Sequence, residues 1–72
     1  MAQINISVQN RHILVNVGEM LITGTSPIEI GRQLTEELIL SPAIAIEVGI
    51  ALERSRSAIR DHEFIETTHI QY

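Results

Sequence analysis

Two Ser-Pro dipeptides, Ser26-Pro27 and Ser41-Pro42, stand fifteen residues apart and divide this chain into parts that must fold differently. Serine followed by proline is a helix-start signal. The hydroxyl accepts an orphan amide hydrogen of the first turn, and proline at the first helical position needs no donor. Proline also disfavours helical geometry in the residue before it, so Ser41 is expected to end one helix while capping the next. The loose likeness of the two stretches is shared capping chemistry and not an internal repeat.

Before Gly24 the sequence alternates. Ile4, Ile6 and Val8 share one face and Asn5, Ser7 and Gln9 the other, which is the period of a half-buried strand. Asn10 is the favoured turn residue of Gln9-Asn10-Arg11. His12 to Val17 reads as a second strand, rich in β-branched residues, with His12 a structural or surface residue. Gly18-Glu19 breaks the run before a short third strand, Met20 to Thr23, so a hairpin or three-stranded meander is expected.

After Pro27, the residues Ile30, Leu34 and Leu38 recur every fourth position, with Arg32, Gln33, Glu36 and Glu37 between them. This predicts an amphipathic helix ending near Leu40 and meeting the next at a sharp corner. Glu29 in its first turn suits the helix dipole. The second helix is predicted from Pro42 to about Glu63. Its first half, Ala43 to Leu52, is apolar on nearly every side except at Glu47, whereas in its second half only Ser55, Ala58 and Ile59 face inward. Beyond it, Phe64, Glu66, Thr68, Ile70 and Tyr72 alternate with Ile65, Thr67, His69 and Gln71, the pattern of an extended strand. The fold class is therefore α+β: an N-terminal β-hairpin or meander, two helices of which the second is longer, and a short C-terminal strand, in one small domain over residues 1–72.

Size and composition then bear on association. A chain of 72 residues buries only about 60% of its unfolded surface, and without cysteine no disulfide can compensate. Apolar residues nevertheless make up 44% of the chain, with isoleucine used thirteen times and aromatics only 3%. That aliphatic surplus predicts a homo-oligomer. A helix apolar all round needs cover on more than one side, which places the oligomer interface on Ile44, Ala45, Val48, Gly49 and Leu52. Ala45 and Gly49, four residues apart, would let another backbone come close. Glu47 is expected to face solvent, a partner chain, or one of Arg11 and Arg32, since an unpaired buried carboxylate is costly.

The net charge of −4, with five arginines and no lysine, disfavours nucleic-acid binding. Met20 to Thr23 followed by two helices has the element order of ribbon-helix-helix DNA regulators, but this strand carries no basic or amide side chain to read bases. No glycine pattern makes a phosphate loop, and no set of catalytic groups converges at a credible spacing, so an enzyme is not expected. Arg54, Arg56 and Arg60 with Ser57 are the candidates for a small anionic, nucleotide-like ligand at a subunit interface, against the plainer reading of a solvated helix surface. His62, Glu66 and His69 have metal-ligand spacing only if the helix continues, and Thr67-Thr68 argue that it has ended; no metal or cofactor is expected. Leu38 to Leu52 is too short and too interrupted to span a bilayer, and Met1 to Asn5 does not begin a secretory signal. The expectation is a soluble cytoplasmic adaptor or inhibitor acting on a protein partner.

Overall fold

The structure, a computed structural model, describes residues 3–63 and 65–72. Its elements are β1 (Gln3–Gln9), β2 (His12–Val17), β3 (Met20–Gly24), α1 (Pro27–Glu37), α2 (Pro42–Asp61) and β4 (Thr68–Gln71). The expected α+β class and element order hold. The strands form one antiparallel sheet of order β3-β2-β1-β4, so the C-terminal strand returns to the edge of β1 opposite the meander.

Register decides which side of the sheet is core. Ile4 lies opposite Val17 and Ile70, Ile6 opposite Val15, Val8 opposite Ile13, and Val15 opposite Ile22. Directly opposed residues share a face, so these aliphatic side chains make one apolar surface. Both helices cover it. Ile30 and Leu34 of α1 and Val48, Ala51 and Leu52 of α2 complete a continuous buried cluster with Ile4, Ile6, Ile13, Val15, Val17, Ile22 and Ile70. The shorter α1 packs over β3, while α2 runs across β2, β1 and β4. A helix of 20 residues is about 30 Å long, enough to carry the chain over the sheet to its far edge.

The opposite sheet face has no helix over it. Gln3, Asn5, Ser7, Asn16, Leu21, Thr23, His69 and Gln71 are exposed or half-buried there, and none of the four strands contains an acidic residue, a lysine or an arginine.

Both β-turns follow from sequence. Gln9 pairs with His12, leaving Asn10-Arg11 as a two-residue turn with φ of 53° and 62°, the backbone of a type I′ hairpin. Val17 pairs with Met20, and Gly18, at φ 59°, takes the first position of the second turn. Arginine is a poor residue for the left-handed region, which costs an ordinary side chain about 1–2 kcal/mol. Arg11→Gly is therefore expected to stabilise the fold by about 0.5–1 kcal/mol, after discounting the looser unfolded chain. An unchanged or lowered urea midpoint would refute this, and would mean that the contact from Arg11 Nη2 to His62 Nδ1 (3.3 Å) outweighs the strain.

Both Ser-Pro signals act as read. Ser26 Oγ accepts from the Glu29 amide at 3.4 Å and Ser41 Oγ from the Ile44 amide at 3.3 Å. The end of α1 is a correction. It stops at Glu37, and Leu38 is extended (φ −127°, ψ 144°), so residues 38–41 form a real connection and not a corner. The reason is geometric: α1 and α2 pack against each other over one sheet face, and the chain needs a few extended residues to pass from one to the other. Leu38 and Leu40 pack against the core from this connection, while Ile39 points wholly into solvent. The second helix ends at Asp61, two residues short of the expected boundary. There His62 turns left-handed (φ 56°) and its amide closes on the carbonyls of Ala58 and Ile59. The final strand is shorter than its alternation implied: residues 65–67 are irregular, and Phe64 lies outside the described residues.

Candidate functional site

The outer side of the helical layer is the most distinctive surface of the molecule. It holds an open groove of about 480 Å³ between α1 and α2. Val48 and Leu52 form part of its floor, and Ile28, Gly31, Ala45 and Gly49 are among the residues around it. The groove exists because the side chains at this helix–helix contact are small. A Cβ built on Gly31 would come no nearer than 3.7 Å to Leu52, and one built on Gly49 would meet nothing within 4 Å. Beside the groove, Ile46 and Ile50 project from α2, 63% and 56% exposed, and Ile28 projects from α1 at 82%. Ile39 follows from the connection at 100%. Glu47 is exposed and, three residues from Ile50, neighbours it on the surface of α2.

The expected interface residues divide. Val48 and Leu52 are buried in the protomer's own core, at 4% and 3% exposure, so they are corrected from partner contacts to core residues. Ile44 is half-buried and packs on the same core, while Ala45 and Gly49 are exposed. The large apolar residues of α2 that are exposed are Ile46 and Ile50, which lie on the opposite side of the helix from Val48 and Leu52. Gly49 is informative in itself. An exposed mid-helix glycine is less stable than alanine by about 0.5–1 kcal/mol, and nothing within the protomer requires the smaller residue there.

The arginines do not form a cluster. Arg56 pairs with Glu53 at 3.1 Å and Arg60 with Asp61 at 3.3 Å, both on the exposed surface. Arg54 and Ser57 do line a common shallow depression, together with Glu53, Ala58, Glu63 and Ile65. Two carboxylates bordering that depression oppose an anionic ligand. Such exposed pairs, the first between residues three apart and the second between neighbours, are each worth at most a few tenths of a kcal/mol and are ordinary helix-surface chemistry.

The other candidates also separate. His62 caps α2, Glu66 lies in the irregular segment, and His69 is on the open sheet face, where its Nδ1 is 2.5 Å from Asn5 Oδ1. No group of three or more His, Asp or Glu side chains converges among the described residues. His12 is exposed, its Nδ1 2.9 Å from the Asn10 carbonyl in its own turn. The strand β3 pairs with β2 along Met20 to Gly24 and is an edge strand of the sheet, with no strand on its other side among the described residues. Ser55, the one buried polar residue among the described residues, donates its hydroxyl to the Ala51 carbonyl at 2.9 Å and is satisfied within its own helix. No described helix is long and apolar enough to cross a membrane.

The fold and this surface define the chain as a two-layer α+β domain whose outer helical face carries exposed isoleucines among charged residues. Compared with known protein families, curated proteins and solved structures, the chain matches none.

Proposed function

We propose that this chain is a non-enzymatic, homo-oligomeric protein-binding module of the adaptor or inhibitor kind, whose copies join through the outer face of the helical layer. The observation that carries the reading is the set of four exposed isoleucines on the two helices and their connection, one of which, Ile28, lines the groove between α1 and α2. The exposures of Ile28, Ile39, Ile46 and Ile50 add up to about three whole side chains left in water. Burying that much aliphatic surface is worth about 5–9 kcal/mol per copy. Two copies together thus contribute roughly 10–18 kcal/mol against an association cost of about 4–15 kcal/mol, which is the range of a stable small oligomer. The charge-free sheet face would point outward in such an assembly and is the surface left for a partner protein.

Molar mass in solution, measured by light scattering over a range of concentrations, tests the reading. The wild type is expected to be larger than 8.1 kDa. Ile46→Glu is expected to weaken association by about 3 kcal/mol or more, roughly a hundredfold, because each copy would bury an unpaired carboxylate. The position is exposed in the protomer, so folding should be retained. A wild type that remains at the protomer mass throughout would defeat the proposal.

A further inference from the structure

We infer that the occupant of the helical face is a second copy of this chain related by a two-fold axis, its α2 antiparallel to the first α2 and crossing it at Gly49. The inference rests on the reading above and goes further in fixing subunit number, direction and crossing point.

Three features point to it. The first is shape. The outward stripe of α2 carries projecting residues, Ile46 and Ile50, beside an open site at Gly49, where an added Cβ meets nothing within 4 Å. A patch that carries both projection and recess can match itself, which is the condition for an isologous interface. The second is charge. Glu36, Glu37 and Glu47 lie in the last turn of α1 and the first half of α2, and none forms an ion pair among the described residues. The three arginines of α2 lie in its second half, where Arg56 and Arg60 are already paired with Glu53 and Asp61, so Arg54 is the cation there without an ion pair among the described residues. At 1.5 Å per residue, Arg56 is about 10 Å from Gly49 in one direction and Pro42 about 10 Å in the other. An antiparallel crossing at Gly49 therefore sets the half of α2 that carries the unpaired Arg54 over the half that carries the unpaired Glu47, whereas a parallel crossing stacks each over its own kind. The third is the helix dipole, which also favours opposed helices.

The chain contains no cysteine, so single-cysteine variants report position cleanly. Gly49→Cys lies on the predicted axis and meets itself there. Ile46→Cys and Ile50→Cys flank it, and Thr23→Cys on the open sheet face is the distant control. Under mild oxidation or with a short bismaleimide, cysteine at 49 is expected to give covalent dimer at least about tenfold faster than cysteine at 23, because the fold would hold the two thiols at high effective concentration. Mixing Glu36→Cys with Arg56→Cys is expected to give a mixed dimer in preference to either self-linked one. Mass data on the uncross-linked protein separate the two ways of failing. A monomer overturns both the oligomer reading and this inference. An oligomer that is dispersed by Ile46→Glu, yet has more than two subunits or links no faster at 46, 49 and 50 than at 23, overturns the two-fold arrangement alone.

Discussion

Leu34→Ala is expected to bring this domain close to unfolding at room temperature. Leu34 is fully buried and is one of only two buried side chains on α1, the other being Ile30. Truncating a buried leucine costs about 2–5 kcal/mol, the spread depending on how far the surroundings collapse into the cavity. A domain of this length holds roughly 4–11 kcal/mol in total. Collapse is hindered here on both sides, since α1 lies between β3 and α2 and both are fixed by other contacts. Nor can α1 persist without its anchor, because an isolated helix of 11 residues is marginal in water. With a urea slope near 1 kcal/mol per molar, the midpoint should fall by roughly 2 M or more. Leu38→Ala is the comparison: Leu38 is only half-buried and already outside the helix, so it should lose clearly less. Equal losses for the two variants would mean that α1 is not held by its Ile30–Leu34 stripe.

That stripe was legible from sequence because α1 offers contrast: apolar residues every fourth position, and arginine, glutamine and glutamate between them. Its C-terminus was not. Leu38 continues the same spacing, and nothing in Glu36-Glu37-Leu38 opposes helix. The stop comes from the passage from α1 to α2, a tertiary demand with no local signal. The first half of α2 was misread for a related reason. Where a helix is apolar on all sides, periodicity cannot say which side meets the sheet, so Val48 and Leu52 were placed outward, whereas Ile46 and Ile50 are the exposed pair. A usable signal lay further along the same helix. Ser55 and Ala58 face inward among charged neighbours, and extending their stripe back by three- and four-residue steps reaches Leu52, Ala51 and Val48. The arginine cluster could have been discounted the same way. Residues two apart on a helix do not share a face, so Arg54 and Arg56 could not converge once the helix reached Asp61.

The C-terminal strand makes the second strong prediction, and the size of its effect has a ceiling. β4 is four residues long, and Ile70 is its one fully inward side chain, opposite Ile4 in the sheet and beneath α2. Ile70→Asp removes about 1.5–3 kcal/mol of apolar burial and would place a carboxylate within the aliphatic core cluster. The strand need not accept that penalty, because it can leave the sheet instead. The loss is therefore limited to what β4 contributes when docked, about 2–4 kcal/mol, and not the far larger cost of an enclosed charge. Ile70→Val, which keeps the strand in place, should cost only about 0.5–1.5 kcal/mol. Hydrogen exchange distinguishes release of β4 from general weakening. In Ile70→Asp, amides of β4 and those of β1 that face it should lose protection, while the β2–β3 pairing from Met20 to Gly24 keeps most of its own. Release would also bare the edge of β1 from Gln3 to Ile6, which carries no charged residue to deter pairing with another chain. The variant should accordingly aggregate at concentrations where Ile70→Val stays clear. Uniform loss of protection across all four strands would show that β4 does not detach by itself and that the sheet unfolds as one unit.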